Sequence, residues 1–148
     1  MGRWMEIVQE QPPEGQRHHT DEYKRLIVGE CAPHPLLHAA RAIQAGSRRG
    51  WNSSDAFPML DRVRVDSSWY VDEDLWLPPA DAFQLLDEFM RLRRVCRDEE
   101  FVPGLDGRAL AARWRDMDEP VEFERWLDAI EGLLWQAVEG GHWVRLML

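Results

Sequence analysis

One long helical pattern near the C-terminus constrains this chain more than any other feature. Asp118 or Glu119 can accept hydrogen bonds from the free amides of a helix start, and Pro120 suits its first turn. Apolar residues then recur every three or four positions, the spacing that places them on one helical face. Gly140 and Gly141 end the pattern. The predicted buried stripe consists of Phe123, Trp126, Leu127, Ile130, Leu133, Leu134 and Val138.

Short apolar or alternating stretches predict strands early in the chain, in its middle and at its end. In the last of them, Trp143, Arg145 and Met147 point to one face of the strand and the residues between them point to the other. The stretch before it, at 75–77, ends at Pro78. The predicted strands cover residues 4–8, 26–28, 61–66, 75–77 and 142–148.

Three further helices are predicted from periodicity and from their flanking residues. They cover 35–45, 80–97 and 108–117, and loops are expected at 9–22 and 47–59. The stripe of the 80–97 helix consists of Phe83, Leu85, Leu86, Phe89, Met90 and Leu92. We therefore expect one α+β domain over residues 1–148, in which three to four helices pack on a small mixed or antiparallel sheet.

The charge distribution limits the partners that such a domain can bind. The net charge is −9, and residues 61–148 carry all of it, with 20 acidic against 11 basic side chains. An acidic surface repels phosphate backbones and attracts cationic surfaces. Direct binding of nucleic acid is therefore disfavoured, and a protein with a basic surface is the expected partner.

The sequence predicts a cytoplasmic protein without a membrane span. The N-terminus becomes charged before any long apolar stretch, and no stretch approaches 18 apolar residues. Cys31 and Cys96 are the two cysteines. We expect both to be reduced and mostly buried.

One group of residues has the composition of a metal site. Cys31, His34 and His38 combine a thiol with two imidazoles, which suits zinc, but no fourth ligand is close in sequence. Cys31 also precedes a predicted helix start, where a thiol can become a nucleophile. The alternative is a buried thiol beside a helix, and we predict no cofactor.

Motifs of the common enzyme classes are absent from the sequence. It contains no G-x-G-x-x-G, G-x-x-x-x-G-K, G-x-S-x-G or H-E-x-x-H pattern. Their absence lowers the odds of a nucleotide-binding enzyme, an α/β-hydrolase or a zinc protease. Acidic clusters occur at 72–74 and 98–100, and such clusters are either solvated surface or docking sites for cations.

Eight tryptophans are the most unusual feature of the composition. Trp114 and Trp126 fit core positions, and Trp135 lies off the stripe of its helix. Tryptophans beside charges are typical of protein-binding hot spots, although each can also pack beneath a loop. The predicted partner-binding residues are Trp51, Trp69, Asp72, Glu73, Asp74 and Trp76.

These properties resemble those of bacterial immunity proteins, which are small, acidic, tryptophan-bearing α+β inhibitors of a cognate toxin. The resemblance is one of composition and architecture, and it implies that acidic residues enter the cationic active site of the toxin. Two alternatives remain open: an accessory subunit of a larger assembly, and a small-ligand or metal-dependent enzyme. The sequence leaves the oligomeric state open.

Overall fold

The computed structural model describes residues 4–11, 21–48, 53–66, 75–116 and 120–147. The α+β class is confirmed, although helices are more numerous than the three to four expected. In chain order, the elements are β1 (Trp4–Val8), α1 (Asp21–Leu26), β2 (Ile27–Cys31), α2 (His34–Gly46), α3 (Ser53–Ala56), α4 (Pro58–Asp66), β3 (Leu75–Leu77), α5 (Pro79–Cys96), α6 (Gly107–Asp116), α7 (Pro120–Gly140) and β4 (Trp143–Met147).

The four strands form one antiparallel sheet in the order β2-β1-β4-β3. Glu6 of β1 pairs with Glu30 of β2 on one side and with Arg145 of β4 on the other. Arg145 in turn pairs with Trp76 of β3. Glu30, Glu6, Arg145 and Trp76 therefore form a row across the four described strands.

The inner face of the sheet packs on the helices. Met5 and Ile7 of β1 and Val144 and Leu146 of β4 are fully buried. They belong to one hydrophobic cluster with the apolar faces of α2, α5, α6 and α7. Trp114 of α6 is also part of this cluster and is 1% exposed, which confirms its predicted core position.

The predicted helices α2, α5, α6 and α7 are confirmed to within one or two residues at each end, as are strands β1, β3 and β4. These are the segments with strong periodicity or with clear stop signals. Within the described ranges, none of the helices combines the length and the apolar character that a bilayer crossing requires.

The strand predicted at 61–66 is wrong, because these residues belong to helix α4. Val63 is buried together with Met59 and Leu60, which is the i, i+3, i+4 spacing of a helical face. The loop predicted at 47–59 is also partly wrong, since α3 lies within it and α4 begins at Pro58. The apolar pattern of these six residues was too short to distinguish the two-residue period of a strand from the 3.6-residue period of a helix.

The second strand also differs from its prediction. Leu26 ends helix α1, and the strand runs from Ile27 to Cys31. Val28, expected to be buried, is 40% exposed, because it shares with Glu30 the face of β2 that points away from the core. Of the loop expected at 9–22, residues 21 and 22 belong to α1, and 12–20 lie outside the described residues.

One member of the predicted α5 stripe is misplaced. Phe83 is 59% exposed, whereas Leu85, Leu86, Phe89 and Leu92 are buried as expected. Phe83 lies near the start of α5. The predicted apolar stripe was therefore wider at this end than the face that the helix buries.

Candidate functional site

The sheet face that points away from the hydrophobic cluster carries polar and aromatic side chains. Successive residues of a strand point to opposite faces, so residues between the core positions of each strand share this second face. The three tryptophans on it are partly exposed, whereas its glutamate in β1 and its arginine are buried. We call the following residues the outer sheet face: Trp4, Glu6, Glu30, Trp76, Trp143 and Arg145.

A buried ionic cluster lies at the centre of the outer sheet face. Arg145 Nη1 donates to Glu6 Oε2 at 3.3 Å and to the hydroxyl of Tyr23 at 2.7 Å. The Tyr23 hydroxyl in turn donates to the Glu6 carboxylate. Glu6, Tyr23 and Arg145 are 6%, 4% and 1% exposed, so helix α1 places Tyr23 over a closed ion pair. Such a pair fixes its members in place because each is strongly hydrogen-bonded.

This environment keeps Tyr23 protonated. Burial and the hydrogen bond to the Glu6 carboxylate raise the pKa of Tyr23 to about 12. The hydroxyl therefore remains a hydrogen-bond donor throughout the physiological range, and it is poorly suited to act as a general base.

Trp76 lies against this cluster from the edge strand β3. The Arg145 guanidinium carbon lies 5.4 Å from the centroid of its indole ring and 5.2 Å from the centroid of the Tyr23 ring. Both distances are in the range of cation–π contacts. Because Arg145 is itself held by Glu6 and Tyr23, the partly exposed indole of Trp76 rests on a rigid support.

The structure describes one of the six predicted partner-binding residues. Trp76 is partly buried on β3. Trp51, Trp69 and the acidic residues 72–74 lie outside the described residues. The chain nevertheless places the 72–74 carboxylates immediately before β3 and therefore close in sequence to Trp76.

The metal candidate does not assemble within the described part of the chain, which holds no group of three potential ligands. His34 and His38 lie one turn apart on α2, with ring centroids 6.5 Å apart, and His34 stacks on Trp126 at 5.7 Å. Cys31 packs partly buried against the hydrophobic cluster, and burial raises its pKa to about 12. A thiol with that pKa is protonated at neutral pH and is a weak nucleophile.

Comparison of the chain with protein-family models, with curated proteins and with solved structures gave no match. The interpretation of the site therefore rests on its own geometry.

Sequence reasoning missed Glu6, Tyr23 and Arg145. One signal was present: Glu6 lies in the middle of an otherwise apolar strand, and Arg145 lies at an equivalent position in the last strand. Opposite charges at facing strand positions favour pairing. The sequence did not show that β1 pairs with β4, because the two strands lie near opposite ends of the chain.

Proposed function

We propose that this chain is a protein-binding module that neutralises or regulates a partner with a basic surface, as an immunity protein inhibits a toxin. On this proposal it acts in the cytoplasm of a bacterium and does not contact nucleic acid directly. The observation that carries the proposal is Trp76, a partly exposed indole supported by the buried Glu6–Tyr23–Arg145 cluster.

A fixed aromatic ring is an effective binding residue. Association costs free energy for every side chain that must become ordered, and Trp76 is restrained before a partner arrives. Tryptophan is also among the residues that contribute most to protein interfaces. Trp4 and Trp143, which share the outer sheet face, extend the aromatic area on either side of the central row.

Charge supports the choice of a basic partner. Residues 61–148 carry the entire net charge of −9, and the Asp72–Asp74 segment adjoins Trp76 in sequence. Acidic residues around an aromatic contact accelerate the association of a cationic partner, and salt reduces that acceleration.

Two variants with the same change in net charge test this proposal. In the first, Asp72, Glu73 and Asp74 are replaced by Lys. The matched control replaces Glu99, Asp116 and Glu139 by Lys, because these exposed residues form no ion pair within the described ranges. The wild type is used to capture a partner, and association rates of all three proteins are then measured at low and high salt.

We expect the 72–74 variant to associate about tenfold or more slowly at low salt, with a smaller difference at high salt. The control variant should associate at a rate much closer to that of the wild type. Equal slowing of both variants would show that only total charge matters, and an unchanged rate in both would reject the proposal.

Two exposed aromatic side chains favour a second candidate, the accessory subunit of a larger assembly. Phe83 and Phe101 are 59% and 80% exposed, and burial against a permanent partner would remove this apolar surface from water. A complex that resists high salt and depends on Phe83 and Phe101, rather than on residues 72–74, would identify this second function.

A further inference from the structure

A cleft lies where the C-terminal ends of α2 and α5 meet the start of α6. It is open to solvent on one side and has a volume of about 550 Å³. Small-molecule sites typically have roughly 300–1,000 Å³. The strands of the outer sheet face do not contribute to its lining, so the cleft is separate from the proposed partner-binding surface.

Backbone contacts hold the walls of the cleft in place. Arg48 N donates to Gly104 O at 2.8 Å, and Asp106 N donates to Gly46 O at 2.7 Å. Gly46 permits this close approach, because a Cβ there would lie 2.7 Å from Asp106 O. A Cβ on Gly107 would lie 2.9 Å from Val95 O in the same way. The cleft is therefore formed without a ligand.

Two arginines in the lining are free to bind an anion. The side chains of Arg48 and Arg108 are exposed, and neither makes a hydrogen bond or an ion pair within the described residues. By contrast, Arg91, Arg93 and Arg94 each pair with carboxylates. Guanidinium groups bind phosphate and carboxylate through paired hydrogen bonds.

The remaining lining adds an aromatic surface and two carboxylates. Phe101, at the cleft, is 80% exposed. Asp106 Oδ1 accepts from Arg108 N at 3.0 Å and from Ala109 N at 3.3 Å, so this carboxylate is committed to the first turn of α6. Asp98 also lines the cleft and can accept a hydrogen bond from a ligand hydroxyl.

We propose that this cleft binds a small organic anion whose phosphate or carboxylate group pairs with Arg48 and Arg108. The flat aromatic part of the same ligand lies against the Phe101 ring. The combination of two free guanidinium groups, an exposed aromatic ring and a preformed cavity carries this assignment. Mononucleotides and aromatic carboxylates are the two sources of this chemistry.

Calorimetric titration of the full chain tests the assignment with four probes. AMP represents the aromatic phosphates and 2-naphthoate the aromatic carboxylates. Adenosine supplies an aromatic ring without an anion, and inorganic phosphate supplies an anion without a ring. We expect AMP or 2-naphthoate to bind at least about tenfold more tightly than adenosine and than inorganic phosphate, because the anion and the ring are then bound together. Which of the two binds identifies the ligand class, and absence of binding by both overturns the proposal.

Variants locate the bound probe. Arg48→Gln with Arg108→Gln should weaken binding about tenfold or more, and Phe101→Ala should weaken it severalfold. The matched controls are Arg41→Gln with Arg113→Gln, and Phe83→Ala. Arg41 is exposed on α2, the helix that precedes Arg48, and Arg113 is exposed on α6, which carries Arg108. All of these side chains are exposed, so thermal unfolding should confirm that each variant folds. Equal affinities in the cleft variants and the controls would contradict the assignment.

Discussion

At the scale of single residues, Tyr23 closes a cluster that contains one full negative and one full positive charge. A buried ion pair is stable only when its remaining hydrogen-bonding groups are satisfied. The Tyr23 hydroxyl accepts from Arg145 and donates to Glu6, so it contributes to both sides of the pair. Without this hydroxyl, the Glu6 carboxylate and the Arg145 guanidinium each lose one hydrogen-bond partner.

Tyr23→Phe should therefore destabilise the fold by about 1–3 kcal/mol at neutral pH. The pKa of Tyr23 is raised to about 12 in the folded protein, against 10.0 for the free side chain. The folded state thus retains the proton over a range in which the unfolded state loses it. The stability contributed by this shift is complete below about pH 10 and is lost as the pH rises to about 12.

Urea unfolding of the wild type and of Tyr23→Phe between pH 8 and pH 12 measures this contribution. Cys31 and Cys96 also have pKa values raised to about 12 by burial, so the variant should retain part of the pH dependence. We expect the wild type to lose about 2–3 kcal/mol more than the variant across this range. Parallel curves would show that the Tyr23 proton is not linked to folding.

At the scale of elements, helix α4 begins with a cap supplied by another helix. Phe57 precedes the helix, and its side chain has no oxygen that could accept from the first free amides. Glu88 of α5 replaces the missing cap: it accepts from Met59 N at 2.9 Å and from Leu60 N at 3.0 Å. Gln84 donates to the same carboxylate at 3.1 Å. The start of α4 therefore depends on its contact with α5.

Glu88→Gln should destabilise the protein by about 1–3 kcal/mol, because Met59 N donates to both carboxylate oxygens and the NH₂ group would face this donor in either orientation. Burial raises the pKa of Glu88 above its usual value, although the hydrogen bonds from Leu60 N, Met59 N and Gln84 oppose this rise. Asp87→Asn is the matched control, since Asp87 is exposed on the adjacent position of α5. Chemical denaturation of both variants gives the comparison, and equal losses would show that the cap is not important.

The cap on α4 also explains why sequence reasoning failed there. Helices α2, α5, α6 and α7 were predictable because their periodicity extends over ten residues or more and their ends carry local signals. Helix α4 is nine residues long, and its capping residue lies about thirty positions away. The central ion pair of the candidate site was missed for a similar reason, since Glu6 and Arg145 are brought together by the pairing of the first and last strands.

At the scale of the whole molecule, helices and sheet share one hydrophobic cluster, and Trp114 joins several of them. Its Nε1 donates to Pro35 O in α2 at 2.8 Å. Its ring meets Phe89 of α5 and Phe123 of α7 edge-on, with centroids 5.9 and 5.3 Å apart. Contacts between elements that are distant in sequence favour unfolding in a single cooperative transition.

A pair of identical substitutions tests how far this cluster governs stability. Phe123, on α7, is 3% exposed and touches Trp114, whereas Phe101 is 80% exposed. We expect Phe123→Ala to reduce the free energy of unfolding by about 3–5 kcal/mol. Phe101→Ala removes the same atoms from the surface and should change it by less than about 0.5 kcal/mol.

Trp126→Ala should fall between these two values, because Trp126 is only partly buried where it stacks on His34. Urea denaturation, followed by both far-ultraviolet circular dichroism and tryptophan fluorescence, gives the three free energies. The two signals should change together in each protein, because sheet and helices unfold as one unit. Separate transitions, or a loss for Phe123→Ala as small as that for Phe101→Ala, would show that the cluster does not unite the described elements.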